Sequence, residues 1–282
     1  MVTNVLLLLV TTLTTALRPP PFSSNALLST PMLGFSTWNQ FRGAINETMI
    51  KDIVRAMKDS GLLAAGYNYI NLDDEYAALH RSATTGEIVG DPNKFPSGMT
   101  ALGTFLHANG FKYGVYTARA VTTCSGKMPG SLGHEALDAA TFARWGVDFL
   151  KNDDCHVVYA DSVRDYGAMQ RALAATSREI THAVKAPDLS ADAATAVCHM
   201  RRVGKDLKNS WANLVRVLDT GVSPAFNALA SGASVSFFND FDMVRLVYLV
   251  RRTVKVTEGI PSEFFLVCLF THLALLVRTV PY

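Results

Sequence analysis

The sequence lacks the short motifs that mark several large enzyme classes. Its 282 residues contain no G-x-G-x-x-G turn and no G-x-x-x-x-G-K-[ST] loop, so they give no support for nucleotide binding. They contain neither a C-x-x-C pair nor an H-E-x-x-H motif, which argues against a zinc site. The G-x-S-x-G elbow of many serine hydrolases is also missing. A catalytic function would therefore have to come from other side chains.

Charge and cysteine are scarce as well. Charged residues make up 18% of the chain, and 26 basic residues nearly cancel 24 acidic ones, which leaves a net charge of +2. This balance gives no strong basic footprint, so we expect no nucleic-acid partner. Four cysteines are too few for a disulfide-built miniprotein but allow one or two bridges. The apolar fraction of 49% excludes a disordered linker, and the length suits one large domain or two modest ones.

A run long enough to span a membrane is missing too. The longest late apolar run, Phe264–Val277, is shorter than the roughly 18–20 residues that a bilayer requires, and His272 interrupts it. We expect no membrane span here, but a core helix followed by a strand.

The first 17 residues contain no charged side chain, include the apolar run VLLLLV, and offer small residues at Thr15–Ala16. This pattern predicts a secretory signal peptide over residues 1–17, although the usual Lys or Arg near the start is absent and a buried strand is the alternative. Residues 18–30 are then a leader. We expect secretion or delivery to a vacuole or lysosome, and the oligomeric state is not readable.

Short apolar runs alternate with helical patterns along the rest of the chain. The runs predict strands at Met32–Trp38, Tyr67–Leu72, Tyr113–Tyr116, Asp148–Leu150, Ile180–Val184 and Ser234–Phe238. Helical patterns cover Ile50–Gly61, Thr100–Asn109, Glu135–Trp145, Ser162–Ala175 and Asn209–Leu218. This alternation predicts parallel β/α architecture, and the length fits the roughly 250 residues of a (β/α)8 barrel. A doubly wound open sheet is the alternative.

Polar residues follow several of the predicted strands, at the edge where barrels of this type carry their active sites. The adjacent Asp73 and Asp74 suit hydrogen bonds to sugar hydroxyls, because ionised carboxylates only accept them. Strand alternation places Lys151 and Asp153 on one side, where the ammonium would keep the carboxylate ionised. Each pattern taken alone also fits a turn, a helix cap or a surface ion pair.

Two further features also fit both a functional and a purely structural interpretation. Arg202 and Asp206 supply a guanidinium and another carboxylate, and a solvated basic loop is the alternative. Cys124 and Cys155 could form a bridge between two neighbouring strand ends.

Several stretches, taken in order, resemble glycoside hydrolase family 27, which contains α-galactosidases and α-N-acetylgalactosaminidases. They are PMLGFSTWNQF (31–41), YNYINLDD (67–74), FPSGMTAL (95–102), HANGFKYGVYT (107–117) and the block from Thr123 to Cys155. Arg202-x-x-x-Asp206, Trp211 and NDFDM (239–243) follow in the expected order. The resemblance is strong from residue 31 to 154 and weak after 243.

The resemblance implies a (β/α)8 barrel over residues 31–282 and a retaining glycosidase that removes terminal α-linked galactose. Asp153 would be the nucleophile and Asp206 the general acid/base of a double displacement. The resemblance also implies that substrate contacts come from Trp38, Asp73, Asp74, Tyr116, Cys124, Lys151, Arg202 and Asp242. It implies a disulfide between Cys124 and Cys155 at the mouth of the site, no metal or organic cofactor, and an α-galactoside substrate as the partner.

Departures from the family pattern keep a second hypothesis open. Gly43 and Glu75 stand where the family has another disulfide, and Arg119 places a bulky cation near the pocket. The segment Val184-Lys185-Ala186-Pro187 replaces the family's Cys-Glu-Trp, so the sequence does not decide between galactose and N-acetylgalactosamine. We expect a barrel incomplete at its C-terminal end, without the family's C-terminal β domain. The alternative function is that of an inactive sugar-binding relative, or of a truncated, decayed gene product.

Overall fold

The structure is a computed structural model, and it describes most of the chain between residues 32 and 216. The described residues are 32–157, 161–186, 189–202, 204–207, 210, 212–213, 215–216, 238–240, 242, 244–245 and 268–269. The predicted signal peptide (1–17), the leader (18–30) and Trp211 lie outside them, as does the apolar run 264–277 apart from residues 268–269. Half of the predicted helix at 209–218 also lies outside them, whereas residues 212–213 and 215–216 are described and helical.

Strands and helices alternate along the described chain. The strands are β1 (Gly34–Ser36), β2 (Tyr69–Asn71), β3 (Lys112–Ala118), β4 (Phe149–Asp153), β5 (Thr181–Lys185), β6 (Met200–Arg202), β7 (Phe238–Asp240), β8 (Val244–Arg245) and β9 (Cys268–Leu269). The helices are α1 (Trp38–Phe41), α2 (Glu47–Asp59), α3 (Met99–Ala108), α4 (Glu135–Trp145), α5 (Ser162–Ala174) and α6 (Ala191–Val197).

The sheet has the connectivity of a β/α barrel. Strands β1 to β7 are neighbours in chain order, and each is parallel to the next. Strand β9 pairs antiparallel with β1, and β8 pairs antiparallel with β9. The predicted (β/α)8-type fold is confirmed, and the described residues supply seven of its parallel strands. The doubly wound alternative would require the strand order to reverse within the sheet, which it does not do here.

Apolar side chains between the strands and the outer helices form the main core. Ile70, Leu150 and Phe142 are completely or almost completely buried in it, on β2, β4 and α4. Helix α2 shows why these segments are helical, because Ile50, Val54 and other apolar residues recur at helical spacing and face the sheet.

The boundaries differ from the predicted ones where local signals were weak. Trp38, predicted to end the first strand, instead begins the short helix α1. Strand β6 and helix α6 were not predicted. The predicted helix in the run 264–277 is contradicted at Cys268–Leu269, which form β9. None of the described helices is both long and apolar enough to cross a membrane.

The cap of α2 gives a measurable contribution to stability. The Asn46 side chain accepts a hydrogen bond from the backbone N–H of Met49 at 2.9 Å. We expect Asn46→Ala to lower the free energy of unfolding by about 1 kcal/mol, because this N–H loses its partner. Urea denaturation of protein made without glycosylation measures the difference. Thr48→Ala is the matched control, since it removes the same Asn-Glu-Thr glycosylation sequon and leaves the cap in place. An equal loss in both variants would contradict the prediction.

Candidate active site

The carboxyl ends of β2 to β6 bring the predicted polar residues together. The register pairs Ala118 of β3 with Asp153 of β4, and Lys185 of β5 with Arg202 of β6. Because parallel strands end at the same edge, residues far apart in sequence meet there. The two aspartates that follow β2, Asp73 and Asp74, are both buried at this edge.

Asp153, the last residue of β4, is at the centre of this group. Its side chain is buried, and one carboxylate oxygen, Oδ2, accepts a hydrogen bond from the Tyr116 hydroxyl at 3.1 Å. The other oxygen, Oδ1, accepts from the backbone N–H of Asp154 at 2.9 Å and lies 3.5 Å from the Lys185 ammonium. These partners fix the orientation of the carboxylate at the mouth of the barrel.

Cations around Asp153 hold it in the ionised form. Burial alone would raise the pKa of this carboxyl, but Lys151, Arg202 and Lys185 lower the pKa to about 2. The sequence prediction that Lys151 acts on Asp153 agrees with this, and two further cations contribute. An ionised, buried carboxylate at a strand end is the state that a nucleophile requires.

Lys151 also binds the first aspartate after β2. Its ammonium donates to Asp73 Oδ2 at 2.7 Å and lies 5.0 Å from the centre of the Tyr116 ring. Burial would lower the pKa of Lys151, but the carboxylates of Asp73 and Asp153 raise it above its ordinary value. The ammonium therefore stays charged between two carboxylates, which keeps both within reach of one ligand.

Asp74 is held by the loop that follows β3. Its carboxylate accepts hydrogen bonds from the Thr123 hydroxyl at 2.7 Å and from the backbone N–H of Ser125 at 2.8 Å. Burial raises the pKa of this carboxyl. The loop is anchored in turn by the disulfide between Cys124 and Cys155, which the structure forms.

The disulfide borders the central carboxylate directly. The sulfur atoms of Cys124 and Cys155 and a carboxylate oxygen of Asp153 all lie within 4.8 Å of one another. Three such groups could bind a metal ion if the thiols were free, but the disulfide leaves no thiolate. Among the described residues, this is the one group with metal-ligand spacing, and its chemistry does not fit a metal site.

Arg202, at the end of β6, connects the two remaining predicted carboxylates. Its guanidinium donates to Asp206 Oδ1 at 2.6 Å and lies 3.7 Å from Asp242 Oδ1. Burial would lower the pKa of Arg202, but Asp242, Asp153 and Asp206 raise it. The Asp206 side chain is 82% exposed, whereas Asp242 is buried and accepts from the backbone N–H of Leu207 at 2.7 Å. Asp206 is therefore at the solvent-facing rim of the group.

Trp38 belongs to the same edge through its neighbour. The hydroxyl oxygen of Thr37 accepts a hydrogen bond from the backbone N–H of Asp73 at 3.0 Å, so the start of α1 is tied to the residues after β2. The Trp38 side chain is half-buried, and the Arg42 guanidinium lies 5.3 Å from its ring centre. Every predicted site residue is among the described residues.

For two residues the structure adds to the sequence analysis. Arg119 lies beside the site as expected, since its backbone N–H donates to the backbone oxygen of Asp153 at 2.9 Å. Its guanidinium, however, is buried against α5, 3.1 Å from Asp165 and 5.2 Å from the Tyr166 ring centre. Lys185, which the sequence analysis places only in the segment that replaces the family's Cys-Glu-Trp, contacts the carboxylates of Asp153 and Asp154. Its position as the last residue of a strand is the signal that could have identified it.

The loops that would carry the missing second disulfide are joined by other contacts. The Lys94 ammonium donates to the backbone oxygens of Gly43 at 2.9 Å and Glu75 at 2.6 Å. A Cβ atom at Gly43 would collide with Glu75 Oε2, so the glutamate occupies the space beside this glycine. Hydrogen bonds thus connect the loop after α1 to the segment that carries Asp73 and Asp74.

The charge state of Asp153 should make the protein acid-sensitive. A carboxyl whose pKa falls from 3.8 to about 2 on folding stabilises the protein above about pH 4, and this contribution disappears as the pH falls through about 2. Such a shift is worth about 2 kcal/mol. We expect the stability difference between the native protein and Asp153→Asn to shrink between pH 4 and pH 2.

Urea unfolding at several pH values measures this difference, and Asp52→Asn, on the exposed face of α2, is the control. A native-minus-variant difference that stays constant down to pH 2 would count against the assignment of these charges.

Comparisons with known proteins identify a matching family and similar sequences. The profile of the family described as alpha galactosidase A matches residues 30–249. Alpha-galactosidase 2 of Arabidopsis thaliana is 37% identical over 225 residues, which cover 79% of this chain and 55% of that protein. An alpha-galactosidase of Coffea arabica is 40% identical over 193 residues, which cover 68% of this chain and 51% of that protein.

Solved structures of two alpha-galactosidases have a similar fold. The alpha-galactosidase of Saccharomyces cerevisiae superposes with a TM-score of 0.69 at 28% identity, covering 76% of this chain and 52% of that one. Alpha-galactosidase I of Mortierella vinacea superposes with a TM-score of 0.69 at 27% identity, covering 83% of this chain and 63% of that one. The chain thus spans about half the length of the curated relatives described above.

Proposed function

Because the chain belongs to the α-galactosidase family, glycoside hydrolase family 27, we propose that it is a glycosidase that removes terminal α-linked galactose by a retaining double displacement. The observation that carries the proposal is the Asp153 carboxylate, buried at the end of β4 with a pKa lowered to about 2. A carboxylate that is ionised at every physiological pH can attack the anomeric carbon of a bound sugar.

In the first step, an oxygen of Asp153 forms a bond to the anomeric carbon as the bond to the leaving oxygen breaks. Asp206 transfers its proton to that oxygen, and the aglycone departs as an alcohol. In the second step, Asp206 accepts a proton from water, which attacks the anomeric carbon and displaces Asp153. Galactose leaves with the α configuration, and both carboxyl groups return to their starting state.

The remaining polar residues would bind the sugar. Asp73 and Asp74 would accept hydrogen bonds from the sugar hydroxyls. Lys151, which donates to Asp73 and lies near Asp153, would also donate to a sugar hydroxyl. Trp38 offers an apolar surface to the C–H face of the ring. The other proposed contacts are Tyr116, Cys124, Arg202 and Asp242, which lie on the neighbouring strand ends and loops.

A second function, binding of galactosides without turnover, is favoured by one observation. The Asp206 side chain is 82% exposed, whereas a general acid has to stay within reach of the leaving oxygen. The binding residues do not depend on Asp206, so the sugar could be held without being cleaved.

Our proposals for processing and location follow the sequence. We propose that residues 1–17 are a signal peptide, that 18–30 are a leader, and that 31–282 belong to the glycosidase barrel. We also propose that the protein enters the secretory pathway, either for secretion or for a vacuole or lysosome. The disulfide between Cys124 and Cys155 supports this, because such bridges persist in oxidising compartments.

Hydrolysis of p-nitrophenyl α-galactoside by the purified chain tests the proposed function. We expect release of nitrophenol from the α-galactoside but not from the β-galactoside, and α-galactose as the first product in proton NMR spectra. The corresponding α-N-acetylgalactosaminide tests the choice of sugar. A folded chain that binds galactose without cleaving the substrate would support the binding function instead, and β-galactose as the first product would exclude a retaining mechanism.

A further inference from the structure

Lys185 takes no part in the double displacement as proposed above. It is the last residue of β5, next to the end of β4, and its side chain is 23% exposed. Its ammonium lies 2.8 Å from Asp154 Oδ1 and 3.5 Å from Asp153 Oδ1. One cation therefore contacts two consecutive carboxylates, one of which is the proposed nucleophile.

Two adjacent carboxylates at a strand end create an electrostatic problem. Two negative charges on neighbouring residues repel each other, and the repulsion would favour the protonated form of one of the two carboxyl groups. The backbone N–H of Asp154 already donates to Asp153 Oδ1, so the two residues are locked together. A cation between the side chains removes the repulsion without separating them.

The other cations near Asp153 have carboxylate partners of their own. Lys151 donates to Asp73 at 2.7 Å, and Arg202 donates to Asp206 at 2.6 Å. In the part of the chain that the structure describes, Lys185 is the one cation that forms an ion pair with Asp153 itself. The Asp154 N–H donates a hydrogen bond to Oδ1, and the Lys185 ammonium forms an ion pair with the same oxygen. Among the described residues, Oδ2 accepts only from the Tyr116 hydroxyl.

We propose that Lys185 is a positioning residue, which clamps Asp154 and Oδ1 of Asp153 so that Oδ2 is the oxygen that attacks the sugar. This inference rests on the proposed function, because it concerns the same nucleophile. Oδ1 accepts from the Asp154 N–H and lies 3.5 Å from the Lys185 ammonium, whereas among the described residues Oδ2 accepts only from the Tyr116 hydroxyl and keeps a lone pair for attack. The ammonium acts through the two carboxylates and does not need to touch the substrate.

The surroundings of Asp153 define what a pH experiment reports. The charged and titratable groups that face it are Tyr116 on β3, Lys151 on β4, Lys185 on β5, Arg202 on β6 and the neighbouring Asp154. Removing only Lys185 leaves two cations but exposes Asp153 to the Asp154 charge. The expected change is therefore a partial rise of the Asp153 pKa, with misorientation of its carboxylate.

Lys185→Met and Lys185→Arg, each in the full chain, test the proposal. Met keeps the length of the side chain without its charge, and Arg keeps the charge. We expect Lys185→Met to lower kcat for p-nitrophenyl α-galactoside by about 10- to 100-fold with a smaller change in KM. We also expect it to move the acidic limb of kcat/KM upward by about one pH unit. Lys185→Arg should restore most of both properties.

Lys58→Met is the matched control, since Lys58 is an exposed lysine on α2 that donates to Asn109, away from the strand ends. A purely structural role for Lys185 would lower Tm without moving the acidic limb. If Lys185→Met does not fold, Lys185→Gln removes the charge but keeps a hydrogen-bond donor, and the same shift is expected. A pH profile equal to that of Lys58→Met would overturn the proposal.

A readout without turnover separates this inference from the proposed function. Carbon-13 NMR of the labelled aspartate carboxyls follows the titration of Asp153, assigned with Asp153→Asn. If the native chain cleaves no galactoside, the proposed function fails, but the titration midpoint should still rise in Lys185→Met. An unchanged midpoint would overturn the role of Lys185 whatever the activity.

Discussion

Replacing Asp153 with glycine is expected to reduce hydrolysis of p-nitrophenyl α-galactoside by about 10³-fold or more. The glycine variant leaves a space beside Tyr116 and near the three cations Lys151, Lys185 and Arg202. A small anion fits this space electrostatically. Azide at high concentration should therefore restore part of the activity.

The configuration of the azide product identifies the residue that was removed. In Asp153→Gly, azide takes the place of the carboxylate and attacks the face opposite to the leaving group, so the product is β-galactosyl azide. In Asp206→Gly the nucleophile is intact, and azide attacks the glycosyl-enzyme to give α-galactosyl azide. The pair of variants thus assigns both proposed roles in one set of NMR spectra.

Each outcome has a definite meaning for the site. α-Galactosyl azide from the Asp153 variant would show that Asp153 is not the nucleophile. Hydrolysis by Asp206→Gly at the native rate, with a substrate whose leaving group is a poor one, would exclude Asp206 as the general acid. The 82% exposure of Asp206 makes this second comparison the more demanding one.

Much of the site was predictable because it follows from the architecture. Parallel strands end at one edge, so Asp73, Lys151 and Asp153 had to meet once the strands were correctly assigned. Side chains alternate between the two faces of a strand, so Lys151 and Asp153 of β4 were also expected to share a face. These inferences need only the order of the strands and the alternation of side chains within them.

The features that escaped prediction depend on contacts between distant residues. Arg119 is buried because Asp165, 46 residues later on α5, supplies its counter-charge. Lys185 contacts Asp153 and Asp154 because β5 lies next to β4, and nothing in its own sequence neighbourhood indicates a partner. Direction and pairing of long side chains are properties of the packed structure and not of local sequence.

The loop after β3 connects the two halves of the site. Thr123 and Ser125 hold Asp74, and Cys124 between them is bonded to Cys155, two residues after Asp153. His156, next in the chain, has a backbone φ of 59°, and its Nε2 donates a hydrogen bond to the Cys124 carbonyl oxygen at 3.2 Å. Since only a donor satisfies a carbonyl, the ring nitrogen there carries the proton.

Removing the disulfide by Cys124→Ser with Cys155→Ser is expected to destabilise the protein strongly. The bridge joins cysteines 31 positions apart in the sequence, for which the chain-entropy relation gives about 3.7 kcal/mol. We expect KM for p-nitrophenyl α-galactoside to rise as well, because the loop that positions Asp74 is no longer tied to the segment after Asp153. Urea denaturation and steady-state kinetics measure the two effects.

Cys198→Ser is the matched control, since Cys198 is a buried free thiol that donates to the Ala194 carbonyl and a hydroxyl can keep that bond. The control should lose less stability than the double variant and leave KM unchanged. Reduction of the native protein with a dithiol should reproduce the double variant, because both cysteines are only partly buried. A double variant that unfolds at the same urea concentration as the native protein would mean that the hydrogen bonds of Thr123, Ser125 and His156 already hold this loop without the covalent bond.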